Sequence, residues 1–159
     1  MEAKAAAEGL KLSKLEAKWT KPLIEAGYTV VPNVIFQRQQ ALGLTPLDIN
    51  ILLQLFAYWW KPGDLARPSK KAIATAIGIH ETTVRKRIKK LEGGGLIKRI
   101  EQRISKSRNK PNLYDFAGLI KEATPYALED VEKKAERKAE ALKRLSRKGK
   151  PALKVVAKK

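Results

Sequence analysis

The sequence predicts a mainly α fold with one small antiparallel β hairpin, and three observations lead there. The stretch Arg67–Glu92, RPSKKAIATAIGIHETTVRKRIKKLE, divides into two helical patterns on either side of Gly78. Directly after it, LIKRIEQRIS (Leu96–Ser105) alternates apolar and polar residues as a half-buried strand does. A polar turn, KSRNKPN (Lys106–Asn112), then leads to a second short strand, Leu113–Phe116. The third observation is the run Leu47–Trp60, apolar over most of a helical circumference, which places it at the centre of a core.

The two patterns around Gly78 have the parts of a helix-turn-helix. Ser69 is a candidate N-cap, and Ile73, Ala74 and Ile77 share one face of the first helix. Gly78 supplies the permissive backbone of a sharp turn, the small Ala74 lets two helices cross closely, and Ile79 plugs the corner. In the second helix Val84, Ile88 and Leu91 form an apolar stripe, with Arg85, Lys86, Arg87, Lys89 and Lys90 between them. Gly93–Gly95 then end the helix and set the angle of the next strand. A β hairpin in that place is a wing, so the expected architecture is a winged helix-turn-helix plus a C-terminal helix and a basic tail.

The remaining elements follow in chain order. Residues 1–27 read as an N-terminal helical extension, frayed over Met1–Gly9, with Leu12, Leu15 and Trp19 on one face. Tyr28–Val31 is β-prone and is expected to join the wing as an edge strand. Asn33–Gln40 reads as a short helix, and Thr45-Pro46 as the capped start of the apolar helix. The aromatic end of that helix, Tyr58-Trp59-Trp60, is read as core packing before base stacking. The domain of interest spans residues 28–120. Ala117–Thr124 reads as a linker-like exit and Thr124-Pro125 as another helix start. A charged helix occupies 121–148 and a basic tail 149–159. Leu128, Val131, Ala135, Leu142 and Leu145 fit heptad positions interrupted by Lys138, and Glu129/Lys133, Asp130/Lys134 and Glu140/Arg144 are i,i+4 pairs.

Charge narrows the function. The 159 residues carry a net charge of +18, which points to a polyanionic partner. Residues 80–110 hold eleven Lys/Arg against three Asp/Glu, and residues 129–159 hold twelve against five. From Ala141 onward there are eight Lys/Arg and no acid, a tail suited to sequence-independent phosphate contacts. The absence of cysteine excludes disulfides, zinc ribbons and thiol catalysis. With His80 the single histidine and the carboxylates scattered, neither a catalytic triad nor a His/Cys metal site is expected. No catalytic residue, metal or cofactor is assigned. No apolar run approaches the roughly 20 residues of a membrane span, and a cytoplasmic, nucleoid-associated protein is the expectation.

VPNVIFQRQQALGLTPLDINILLQLFAYWW, then RPSKKAIATAIGIHETTVRKRIKKLEGGGLIKRI, then the wing and NLYDF, resemble the winged helix-turn-helix domains of plasmid and phage replication proteins and related regulators. Such domains show a VPN start, a PS…LA…G first helix, a TVR…I..L…G.I second helix and an N.Y.F wing exit. The chain departs from the pattern at His80, where Ser or Thr usually caps the second helix.

The residues expected to meet double-stranded DNA follow from the helix geometry. Thr82, Thr83, Arg85, Lys86 and Lys89 lie off the apolar stripe, with Arg85 the leading base reader through bidentate bonds to guanine. Ser69, Lys70 and Lys71 are expected at phosphates, and Lys106, Arg108 and Lys110 of the wing at the backbone or minor groove. Glu81 could accept from cytosine or stabilise the first helical turn. The reading is a sequence-specific DNA-binding protein, a transcriptional regulator or partition-type accessory DNA binder of a mobile element. A replication initiation protein binding origin repeats and a non-specific nucleoid-type architectural protein are the alternatives. A homodimer through the N- or the C-terminal helix is compatible with the pattern, and no small-molecule cofactor is expected.

Overall fold

In the computed structural model, which describes residues 14–61, 63–102 and 110–146, the chain is organised around α4 (Pro46–Phe56). Ile51, Leu52 and Leu55 on this helix are fully buried, as its apolar circumference requires. Before it come α1 (residues 14–19), α2 (Lys21–Glu25) and α3 (Asn33–Gln37). After it follow α5 (Lys70–Ile77), α6 (Glu81–Gly93), β1 (Lys98–Ile100), β2 (Leu113–Asp115) and α7 (Ala117–Leu145).

α5 packs on both α4 and α6, and the corner between them is built as its residues dictate. Ser69 Oγ accepts from the Ala72 amide at 3.0 Å, capping α5. Gly78 closes the helix at φ 76°, ψ 34°, a left-handed conformation that glycine adopts without a Cβ penalty. Ile73, Ala74, Val84, Ile88 and Leu91 join α4 in one core, and Ile77 and Ile79 pack against it. The glycine run stops α6 as expected, with the Leu96 amide donating to the Leu91 carbonyl at 3.0 Å.

β1 and β2 pair antiparallel, Arg99 opposite Tyr114. The third position beside them belongs to Ala66, which exchanges two backbone hydrogen bonds with Tyr114 (3.0 and 3.3 Å). The expected edge strand Tyr28–Val31 is therefore a correction: this segment has no strand structure, and Val30 is largely exposed. Ala66 is already in register with β2, whereas Tyr28–Val31 lies beside the apolar cavity lined by Ile24, Phe56, Trp59 and Phe116.

Two further expectations change. The apolar helix ends at Phe56 rather than Trp60, because residues 57–58 turn. Trp59 folds back on Phe116 (5.1 Å between ring centroids), while Trp60 is 73% exposed. The linker-like exit is the second. α7 begins at Ala117 and runs through Pro125, so Thr124 is not an N-cap. Thr124 Oγ instead donates to the Ile120 carbonyl at 2.6 Å. Proline removes one backbone bond, but Ala123 before it is buried in the core and Asp130 beyond it is tied to Arg38 of the α3 exit at 2.6 Å. Anchors on both sides of the proline hold the helix continuous. Arg38 thus takes the carboxylate expected for Lys134 and holds Asp130 below the usual carboxylate range. The Glu129–Lys133 and Glu140–Arg144 pairs form.

Candidate nucleic-acid interface

The buried stripe Val84, Ile88 and Leu91 fixes which way α6 faces, and the other residues of the helix are thereby sorted. Arg87 and Lys90 turn back toward the start of α4: Arg87 Nη1 lies 3.8 Å and Lys90 Nζ 3.5 Å from the fully buried Asp48 carboxylate. Lys90 also donates to the Gly43 carbonyl at 3.2 Å. Thr82, Arg85, Lys86 and Lys89 are exposed, and Thr83 is half-buried. The basic residues of one helix therefore have two jobs, with Arg87 and Lys90 holding the helix and Arg85, Lys86 and Lys89 presented to solvent.

Asp48 is the anchor of that arrangement. Its Oδ2 accepts from Thr45 Oγ1 (2.6 Å) and the Thr45 amide (2.9 Å), and its own amide donates to Thr45 Oγ1, completing a capping box. Burial works to raise the Asp48 pKa, but the two Thr45 hydrogen bonds and then the charges of Lys90 and Arg87 outweigh it and hold the carboxyl below its ordinary value.

At the other end of α6, His80 is the N-cap. Its Nδ1 accepts from the Thr82 amide at 3.3 Å and lies 2.8 Å from Thr82 Oγ1. The amide contact uses the Nδ1 lone pair, which is free in the tautomer that carries its proton on Nε2. The imidazole thus does the capping that Ser or Thr usually does at this position, and the Thr82 hydroxyl is engaged with it.

Cations from three elements meet around the corner. Burial lowers the Lys70 pKa, and the like charges of Arg85 and Arg99 lower it further against Glu81 and Glu101. Arg85 pairs with Glu81 at 3.3 Å across one exposed turn. A solvent-exposed i,i+4 pair is worth only about 0.3–0.5 kcal/mol, so Arg85 can exchange it for a stronger anionic partner. Arg99, which the sequence reading passed over, is held more firmly, with Nε 3.3 Å from Glu92 and Nη1 3.3 Å from Glu101. The one sequence signal for it is its place opposite the aromatic of the NLYDF strand. Ser69 and Lys71 are exposed at the start of α5, and Lys110 is exposed where its amide donates to the Gln102 carbonyl. Among the described residues, Lys71, Lys86, Lys89 and Lys110 have no ion-pair partner. Lys106 and Arg108 lie outside the described residues, as does the tail beyond Ser146.

A helix corner with unpaired cations on its outer face can hold a polyanion. Among the described residues no group of His, Cys, Asp and Glu could hold a metal ion, and no helix is long and apolar enough to cross a membrane.

Comparison with known proteins agrees with this geometry. Residues 42–97 match the model of a family described as a helix-turn-helix domain, from Leu42 through α4, α5 and α6 to Ile97. The match stops short of both wing strands. No curated protein sequence is similar enough to count as a match. Among solved structures, the N-terminal domain of the DnaD protein from Geobacillus kaustophilus aligns at TM-score 0.51 and 16% identity, covering 77% of this chain and 96% of that one. At that identity the likeness is one of fold alone. A transcriptional regulator also aligns, at 16% identity over 87% of this chain and 95% of that one, with a TM-score of 0.36.

Proposed function

We propose that the chain, whose residues 42–97 match the helix-turn-helix domain family, is a sequence-specific double-stranded DNA-binding protein acting as a transcriptional regulator or partition-type accessory DNA binder of a mobile element. The observation that carries this reading is the division of labour on α6. Arg87 and Lys90 are spent on Asp48, while Arg85, Lys86 and Lys89 stand exposed beside a cap at His80. A recognition helix needs both a fixed orientation and free donors near its N-terminus. In this reading Arg85 addresses base edges, and Thr83, Lys86 and Lys89 address base edges or phosphates. Ser69, Lys70 and Lys71 address the phosphates beside the first helix, and Lys106, Arg108 and Lys110 those beside the wing. The basic residues beyond Ser146 add affinity without sequence preference.

The test is titration of the full chain onto duplex DNA across ionic strength. Six or more phosphate contacts lose roughly a thousandfold in affinity between about 50 and 200 mM salt. An affinity flat over that range would remove the proposal.

A further inference from the structure

The C-terminal half of α7 leaves an apolar line without a partner. Leu128, Val131, Leu142 and Leu145 are 58, 62, 70 and 84% exposed. Together with Ala135 and Lys138 they occupy successive a and d positions of three short heptads on one side of the helix. Among the described residues nothing buries them.

We infer that this line is a self-association seam in which α7 pairs antiparallel with α7 of a second copy, Leu128 meeting Leu145 and Val131 meeting Leu142 of the partner. Two properties of the helix select the second copy and the direction. The first is Lys138. A parallel pair in register would set Lys138 against its own copy at the centre of the seam, two like charges at close range. The antiparallel pair sets it against Ala135, whose small side chain leaves room for the lysine stem to run outward to solvent. The second is charge. Residues 128–135 hold Glu129, Asp130 and Glu132 against Lys133 and Lys134, net −1, whereas residues 138–145 hold Lys138, Lys143 and Arg144 against Glu140, net +2. Arg38, paired with Asp130 at 2.6 Å, brings the first of these ends close to neutral, so antiparallel pairing lays the basic end of each helix on a near-neutral end of the other. Parallel pairing would put the two basic ends, and the eight Lys/Arg found from Ala141 onward, side by side.

The seam runs from Leu128 to Leu145, about 25 Å at 1.5 Å per residue. Its twofold axis passes between residues 136 and 137. A dimer of this kind presents two copies of α6 related by that axis, as an inverted-repeat DNA site requires. The pairing itself needs no DNA, so it can fail while DNA binding stands.

The chain has no cysteine, which makes directional cross-linking clean. Leu128→Cys and Leu145→Cys are made separately in the full chain, at exposed positions where folding is undisturbed, and oxidised without DNA, alone and as an equal mixture. The expected result is a disulfide dimer in the mixture at least tenfold faster than in either variant alone. Self-linking of each variant as fast as the mixture would establish a parallel pair and overturn the inference. A monomeric mass by sedimentation at every concentration, with no cross-linking, would also overturn it. Leu142→Asp is expected to weaken dimerisation at least tenfold; a dimer that this substitution leaves unchanged is built elsewhere, and the inference falls.

Discussion

Asp48 and Lys90, 42 positions apart in sequence, stand 3.5 Å from one another, and through them the first turn of α4 is tied to the last turn of α6. The carboxylate is fully buried, doubly hydrogen-bonded by Thr45, and has Arg87 as a further cation at 3.8 Å. Because the folded state holds the Asp48 pKa below its ordinary value, ionisation of this group favours folding. That stability is fully present above the unfolded aspartate value of about 3.9 and disappears as pH falls through the lower folded value. Asp48→Ala, which also leaves Thr45 donors without an acceptor, is expected to cost about 1–3 kcal/mol at neutral pH. It should also flatten the acid limb of stability. Urea denaturation of both proteins from neutral pH down to below 4 checks both effects, and an unaltered acid limb would mean that Asp48 is not the group responsible.

A close backbone approach sets where α7 starts. At Gly118 an added Cβ would lie 1.9 Å from the Gly95 carbonyl oxygen, and the neighbouring Leu119 amide donates to the Leu96 carbonyl at 2.7 Å. Backbone cannot swing aside as a side chain can. Gly118→Ala is therefore expected to destabilise by about 1–3 kcal/mol or more through overpacking. Gly93→Ala, with nothing within 4 Å of the new methyl, should be neutral or stabilising by up to about 1 kcal/mol. Denaturation midpoints of the two variants give the comparison, and equal effects would contradict the close approach.

The imidazole cap makes its own prediction. His80→Ala removes the acceptor for the Thr82 amide and should cost about 1 kcal/mol, while His80→Ser restores a capping oxygen and should recover most of it. Thermal unfolding of the pair reads this directly. Should Ser be no better than Ala, the first turn of α6 would not depend on residue 80.

Much of this architecture is legible in the sequence because its signals are local. Ser69, Gly78 and the Val84/Ile88/Leu91 stripe each declare themselves within a few residues, and the second strand, expected at Leu113–Phe116 after the polar turn, is found at Leu113–Asp115. What is not legible depends on partners far along the chain. The sequence leaves Arg87 and Lys90 out of the DNA-facing set, but their partner Asp48 emerges only in the fold, although the Thr45-Pro46-Leu47-Asp48 spacing marks a capping box. Tyr28–Val31 has strand composition, but Ala66 takes the position next to Tyr114. Thr124-Pro125 has the form of a helix start, but helix propensity and the anchors at Ala123 and Asp130 carry α7 straight through it. Local preference yields there to tertiary contacts.

The central proposal is that α6 reads sequence, and the most direct measurement compares Arg85→Ala with Lys110→Ala on a selected high-affinity duplex and on random DNA. Arg85 is exposed, next to buried Val84, and among the described residues is held only by Glu81 at 3.3 Å. If it bonds a base edge, Arg85→Ala costs roughly 1–3 kcal/mol on the selected site and far less on random DNA. Lys110→Ala, removing one phosphate contact, lowers both affinities together. Equal losses from Arg85→Ala on both duplexes, matching those from Lys110→Ala, would contradict base reading by this helix and leave a protein that binds DNA by charge alone.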